Sequence, residues 1–292
     1  VKLGFVGAGA AGGAMARALA AAGVPVVAVT GKGQERARAL AAVIPGCAAV
    51  PTAQDVADRA DLVVLAVPDR AIAEVCAAVR WRAGAAVVHC SGAHSLDVLE
   101  PAREVGALVG GCHPLQTLTG TPEDAAKLAG SVFGIEAEEP LRGMLADLVE
   151  RIGGQPVLLS ARDKALYHAS AVLISNFTVT LAATAAGLWE VFGVDRRDGL
   201  RALLPLLRGT IVNLEQHGVP NALTGPIARG DAGTLERHLN ALADSHPDLL
   251  PLYRELGRHT VPLARERDPG GAADRMADAL LALLDGEGEG AE

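Results

Sequence analysis

The sequence predicts an α/β fold in which a doubly wound, mostly parallel sheet is followed by an all-α domain. Three observations lead there. Short apolar runs alternate with helical stretches from Lys2 to Leu159, a glycine-rich turn separates the first run from the first helix, and beyond Ser160 every stretch reads as helix. The 292 residues have length for two domains. The chain is 50% hydrophobic but only 3% aromatic, so its cores must be built from Ala, Val and Leu. The expected division is a sheet domain over 1–159, a helical domain over 160–285, and a glycine–glutamate tail over 286–292 that should be disordered.

The run KLGFV reads as the first strand, and Gly7-Ala8-Gly9-Ala10-Ala11-Gly12 follows at once. The next helix closes at Gly23, and Val24–Val29 is the second strand. In this strand–turn–helix context the three glycines form a dinucleotide-binding fingerprint. Gly7 permits the tight turn, Gly9 lets a pyrophosphate approach the backbone, and Gly12 lets helix and strand pack closely. The helix N-terminus then faces the phosphates. A dinucleotide fold selective for NAD usually carries an acid after the second strand, on the ribose diol. Here Thr30-Gly31-Lys32-Gly33-Gln34 and Arg36 stand instead. A hydroxyl and two cations suit a 2′-phosphate, so Thr30, Lys32 and Arg36 predict NADP as cofactor.

Ala48–Val50, Asp61–Val67 and Ala85–His89 continue the parallel strands, with a helix from Arg70 to Val79 between the last two. Ligands bind at the carboxyl ends of such strands. Val67-Pro68 and Ser91-Gly92 should therefore border the nicotinamide. Ala107–Gly110 leads into Gly111-Cys112-His113-Pro114-Leu115-Gln116-Thr117, and Ser131–Glu136 and Gln155–Leu159 read as late strands around the helix Pro140–Ile152.

The stretch Ser160–Trp189 has no proline, and no charge from Ala169 onward. It predicts one long helix, capped by Ser160, that is buried on most sides or lies in a subunit interface. Its first turns carry Lys164 and His168 four residues apart on one face, flanked by Tyr167 and Asn176, as the floor of a catalytic cleft would. About 20 uncharged residues are enough to cross a bilayer. Six Ser, Thr and Asn residues within the uncharged span Ala169–Trp189 and the lack of a flanking basic cluster argue against that, so no membrane partner is expected. Farther on, Arg197–Gln216 is amphipathic, and Asp231 should cap the helix Ala232–Ala243.

A formal net charge of −8 excludes nucleic acid as an expected partner. Cys47, Cys76, Cys90 and Cys112 have neither disulfide nor zinc-finger spacing, which together with the lack of a secretory leader suggests the cytoplasm. His89, Cys90, His94, Cys112 and His113 cluster near strand ends, but their spacing fits no zinc pattern, and no metal is expected.

The glycine fingerprint, Ala66-Val67-Pro68-Asp69, HPLQT, Lys164 with Tyr167-His168 and Asn176, and the loop LTGPIARGD together resemble a little-characterised group. Its members are Rossmann-like NADP oxidoreductases with a helical C-terminal domain of unknown function, within the 6-phosphogluconate dehydrogenase-like superfamily. Relatives include pyrroline-5-carboxylate reductase, ketopantoate reductase, prephenate dehydrogenase and deazaflavin:NADP oxidoreductases. The resemblance covers nearly the whole chain. His113-Pro114 is similar to the His-Pro of prephenate dehydrogenases, whose histidine engages the reacting hydroxyl, although the following residues differ. Lys164 matches the lysine of ketopantoate and hydroxyisobutyrate dehydrogenases, while His168 stands where those families have asparagine.

The expectation is an NADPH-dependent oxidoreductase that transfers hydride to a C=O or C=N bond of a small carboxylate. Lys164 or His168 would supply the proton and His113 would polarise the substrate. Tyr167 and Asn176 would contact the substrate, and Arg229 would grip its carboxylate with a planar fork. A homodimer built through the C-terminal helices should result. The alternatives are a deazaflavin-linked or prephenate-dehydrogenase-like enzyme, and a non-catalytic dinucleotide sensor.

Overall fold

Side chains on a strand alternate between its two faces, and runs apolar at every position must be covered on both. The computed structural model, which describes residues 1–286, puts such runs into one eight-stranded sheet. Its strands are β1 (Leu3–Val6), β2 (Val26–Thr30), β3 (Ala48–Ala49), β4 (Leu62–Leu65), β5 (Ala86–His89), β6 (Leu108–Pro114), β7 (Val132–Ala137) and β8 (Gln155–Leu158). Their order is β3-β2-β1-β4-β5-β6-β7-β8. Strands β1 to β6 are parallel, β7 runs antiparallel to β6, and β8 is parallel to β7.

Both faces of the sheet carry a core. Leu62 and Val64 join Phe5, Met15, Leu19 and Phe133 on one side, while Val63 and Leu65 join Val56, Ile72 and Leu99 on the other. The helices α1 (Ala10–Ala21), α2 (Gln34–Ala42) and, later in the chain, Leu141–Arg151 cover the first face. The short helices α3 (Ala53–Ala57), α4 (Ile72–Ala77) and α5 (Glu100–Arg103) cover the second. Leu141–Arg151 is α6. This strand order places a crevice outside the carboxyl ends of β1 and β4, where the chain winds away in opposite directions. The reversed strand β7 brings new residues to that end of the sheet, with Glu136 opposite Gly111.

The first compact unit is Val1–Phe177 and the second begins at Thr178. The expected handover at 159/160 therefore differs from the observed division by most of five helical turns. The reason is that the helix start α7 (Asp163–Ala171) sends Lys164 and Tyr167 into the sheet domain, as shown below. In the second unit, α10 (Ala232–Ser245), α11 (Leu250–Arg267), α12 (Ala272–Arg275) and α13 (Ala277–Asp285) gather Leu235, Leu239, Val261, Ala264, Leu280 and Leu284 into a core of their own. Asp231 caps α10 by accepting from the Thr234 amide at 3.0 Å. Preceding them are α8 (Phe177–Gly187) and α9 (Arg196–His217). The tail expected to be disordered lies, from Glu287 on, outside the described residues.

The long helix departs from the expectation of one continuous element, and of its two expected settings the single chain does not supply burial. It is interrupted by a π turn over Val172–Asn176, between α7 and α8. It is also not buried: Leu166 is 78% exposed, Ile174 72% and Val179 70%, with Leu173, Phe177, Val191 and Phe192 exposed as well. Asp163–Phe192 is long and apolar enough to cross a membrane by length and composition. An uncharged sequence sets how apolar a helix is, but not which neighbours arrive to cover it.

Candidate functional site

The turn after β1 has the geometry that its glycines allow. Gly7 has φ +116°, and a Cβ there would lie 2.2 Å from the Ala66 carbonyl oxygen. A Cβ on Gly12 would lie 2.0 Å from the Gly7 carbonyl oxygen and 2.8 Å from Ala66 Cβ. Helix and strand thus meet backbone to backbone. Gly9, the N-cap of α1, has nothing within 4 Å of its Cβ position. The turn leaves open space where the first amides of α1, at Ala10 and Ala11, have no intrahelical partner, a setting that favours an anionic group.

At the end of β2 the residues divide. Lys32 and Arg36 are exposed at the start of α2, available to an anion. Thr30 is not: it is 4% exposed, its hydroxyl donates to the Pro51 carbonyl at 3.3 Å, and Gln34 Nε2 reaches it at 3.4 Å. The hydroxyl expected to hold a 2′-phosphate ties β2 to the loop after β3 instead.

A second group of residues forms at the carboxyl ends of β4, β5 and β6. The rings of His113 and His168 stand 6.1 Å apart, edge to face. His113 Nδ1 lies 3.0 Å from the Tyr167 hydroxyl. Gly92 packs against both imidazoles: a Cβ there would be 2.7 Å from His168 Cδ2 and 3.0 Å from His113 Nε2. Gly134 leaves room for Tyr167 in the same way, with its Cβ position 2.9 Å from Cζ. His113 and His168 open onto a cavity of about 320 Å³, whose walls include Gln116, Thr117, Ile174, Ser175 and Asn176. The loop carrying Gln116 and Thr117 runs on to Gly120, which lies beside Ala10 at the start of α1. Asp124, fully buried, fastens that loop by accepting from the amides of Thr119, Gly120 and Thr121 and from Lys127 Nζ at 2.7 Å. The Lys127 hydrogen bond, followed by the amides of Gly120 and Thr119, outweighs burial and holds its carboxyl at about 2.

Behind this wall the polar groups are dry. Lys164 is 1% exposed, Nζ donates to the His94 carbonyl at 2.6 Å, and Glu136 Oε2 lies 3.0 Å away. His89 is fully buried and accepts from the Ser91 amide through Nδ1. Burial, then the neighbouring Lys164 charge, push its pKa down to about 3. His113 is lowered to about 4, by burial first and then by the charges of His168 and Lys164. Both rings are therefore neutral at pH 7. Burial pushes the Tyr167 hydroxyl up to about 12, so it stays a proton-bearing donor. Ser91 donates to Asp69 Oδ2 at 2.8 Å, and its oxygen accepts from the amides of Ala93 and His94.

The structure thus brings His113, His168 and Asn176 to one cavity, with Tyr167 against the His113 ring, Gly92 against both rings and Lys164 buried nearby. It sets Lys164 deeper than a partly desolvated proton donor would sit, with its ammonium already occupied. Val67-Pro68 follows β4 at the same end of the sheet. Arg229 belongs to the second unit, exposed on the short turn Ile227–Arg229, and the imidazole grouping is complete without it. Among the described residues no group of three or more His, Cys, Asp or Glu could hold a metal ion, and the four cysteines are free thiols. Sequence reasoning overlooked Glu136 and named His94 and Asp69 without giving them a place in the site. Glu136 had a visible signal, because a carboxylate within the buried run VFGIEA needs a partner.

Comparison with known proteins agrees with this architecture. A Rossmann-like domain model matches residues 1–114, and a model of a domain of unknown function, DUF2520, matches residues 131–260. No curated protein matches the chain. Among solved structures, protein TM1727 from Thermotoga maritima is similar at 26% identity and TM-score 0.72, covering 90% of this chain and 98% of that one. BF3122 from Bacteroides fragilis, named as a candidate NADP oxidoreductase, is 25% identical with TM-score 0.70, covering 89% and 97%. The 1-pyrroline-5-carboxylate reductase of Streptococcus pyogenes shares the fold at 17% identity and TM-score 0.59, covering 96% and 98%.

Proposed function

We propose that this chain, a Rossmann-like domain joined to a DUF2520 domain, is an NADPH-dependent oxidoreductase that reduces a C=O or C=N bond of a small carboxylate. One observation carries the reading. Two imidazoles packed on Gly92 face a cavity at the carboxyl end of a sheet whose first turn is shaped for a dinucleotide pyrophosphate. The likeness to BF3122, with its NADP oxidoreductase name, supports the cofactor class. The residues present fit that cofactor: Gly9 leaves the backbone open, the amides of Ala10 and Ala11 face the space beyond it, and Lys32 and Arg36 offer charge for a 2′-phosphate. When bound, NADPH supplies the hydride.

The chain's own contribution is orientation and a proton. Imidazole is the side chain best matched to proton transfer near neutral pH, and His168 reaches the cavity directly. His168 is therefore the proton donor of this reading. His113, held neutral by burial and braced by the Tyr167 hydroxyl, binds and orients the reacting heteroatom. Asn176, on the cavity wall, contacts the rest of the substrate. Steady oxidation of NADPH with members of a panel of keto and imino acids tests the proposal. Tight NADPH binding with no turnover across the panel would instead make the protein a dinucleotide sensor.

We infer also that the chain works as a homodimer. The first unit exposes Leu166, Leu173, Ile174 and Phe177, and the second exposes Val179, Val191, Phe192, Leu206 and Ile211. Large apolar side chains left exposed in such number mark an interaction site. A bilayer is the poorer occupant, because Lys164 and Tyr167, in the first turns of the same helix, are bound into the sheet domain. Sedimentation across a concentration series tests this.

A further inference from the structure

The loop Cys90–His94 sets Gly92 against the two cavity imidazoles, and it is fastened on two sides. Toward β4, Ser91 Oγ donates to Asp69 while gathering the amides of Ala93 and His94. Toward β7 and α7, the bond is the one from Lys164 Nζ to the His94 carbonyl, at 2.6 Å. Glu136 stands 3.0 Å from the same nitrogen without completing a hydrogen bond, so its contribution is charge. Gly111 makes the space, since a Cβ there would lie 2.8 Å from Nζ. A buried ion pair is seldom a net gain in stability over apolar residues, because both ions lose their hydration. Its use here is geometric. The loop it grips carries Gly92, and Gly92 touches both imidazoles.

We propose that Glu136 and Lys164 form a clamp on the His94 carbonyl that sets Gly92 against His113 and His168, which makes both charged residues positioning residues of the site. Glu136 neutralises the ammonium where water cannot reach it. The ammonium then holds the loop, and the loop fixes the distance and tilt of the two rings. Lys164 in this role keeps its proton and does not deliver it. The clamp itself does not depend on the oxidoreductase reading; only its consequence for turnover does.

The clamp can be tested without any substrate. Ring titrations of the histidines by NMR, with His113 assigned from the signal missing in His113→Asn, compare the unmodified protein with Glu136→Gln. His113 is faced by Tyr167, His168 and Lys164 from α7, and by Asp69 from the β4 end. Loss of the Glu136 charge alone should push the His113 midpoint lower, whereas a loosened loop admits water to the ring and moves it up. The clamp predicts a rise of about one pH unit and roughly tenfold faster amide exchange at Ser91–His94. A midpoint that stays or falls, or unchanged exchange, overturns it. Should Glu136→Gln not fold, the pair Glu136→Leu with Lys164→Met leaves no lone buried charge, and amide exchange alone then decides. With any substrate that turns over, Glu136→Gln and Lys164→Met should each lower kcat by about 10- to 100-fold, leaving NADPH affinity within about threefold and the basic limb of the pH profile unmoved. Loss of the basic limb in Lys164→Met alone would overturn the positioning role. Failure to find any substrate would count against the reduction, while the NMR measurements still decide the clamp.

Discussion

The glycine turn after β1 and the helix start at Asp163 are the two halves of the proposed site, and they use sequence in opposite ways. In the turn, side chains are absent where they would obstruct, and the backbone does the binding. In the helix start, the side chains matter, and each takes its role from a partner far along the chain: Lys164 from Glu136 and His94, Tyr167 from His113, His168 from Gly92. A site made of backbone is written in a spacing of a few residues. One made of side chains is completed only by the topology that pairs β6 with the reversed strand β7.

The largest effect should come from spoiling the first half. In Gly12→Ala, a Cβ 2.0 Å from the Gly7 carbonyl oxygen forces the turn and α1 apart. NADPH affinity should fall on the order of 100-fold or more, with Tm falling as well. The cavity residues are untouched by this change, so a fluorescence titration that finds NADPH binding unaltered would show that the turn is not the cofactor site. Nearly as large is the expected effect on assembly. Val179→Asp places one carboxylate per subunit in the inferred interface, and burying each without a partner costs about 2 kcal/mol or more. The dimer should dissociate at micromolar concentration. A protein that sediments unchanged contradicts the apolar face as its contact.

Acid separates the halves in another way, since the buried histidines lie only near the second. His89 titrates at about 3 and His113 at about 4 in the folded chain, both below the ordinary 6.5. The unfolded chain therefore takes up protons that the fold refuses. The stability tied to these rings is full above pH 6.5 and is lost progressively as pH falls toward 3. Between pH 7 and pH 5 the loss should be roughly 2 kcal/mol for His89 and less for the partly exposed His113. The carboxylates held low, such as Asp124, add to the loss only at more acid pH. Urea unfolding at pH 7 and pH 5 measures it, and equal midpoints would mean that these rings are not buried neutral.

Much of the first half was legible in the chain, and much less of the second. The parallel strands, the turn and the carboxyl-end loops follow from short-range patterns: β-branched runs, glycines at fixed offsets, and Asp231 capping α10. Thr30 misled because its side chain points by strand alternation into the β2–β3 junction, a direction that residue type does not reveal. The long helix left two settings open, burial within the chain or a subunit interface, because hydrophobicity does not specify which neighbour buries it. Lys164 and His168 lie on one helical face, as their spacing implies. Their depths differ, because Gly111 opens a pocket for one and the cavity receives the other.

His168→Ala sharpens the contrast from the second half. Removing the proton donor should lower kcat by about 100-fold while NADPH affinity stays within about twofold. That is the reverse of the Gly12→Ala pattern. Stopped-flow measurement of the hydride step at several pH values checks it, and undiminished turnover would return the donor role to another group.

The smallest effect concerns which nicotinamide the turn side prefers. No carboxylate stands directly at the end of β2, the first being Glu35 in the opening turn of α2, and with Thr30 committed to Pro51 the selectivity rests on the exposed cations Lys32 and Arg36. A surface cation facing a phosphate in water is partly screened, so each contributes modestly. NADPH should bind roughly tenfold tighter than NADH, about 1.4 kcal/mol. Lys32→Ala should narrow that gap by weakening NADPH and leaving NADH unchanged, and added salt should narrow it further. Titrations of both cofactors at two ionic strengths distinguish the cases. A gap that survives in Lys32→Ala and ignores salt would assign the selectivity to groups other than these cations. Equal affinities in the unmodified protein would mean that the end of β2 does not discriminate at all.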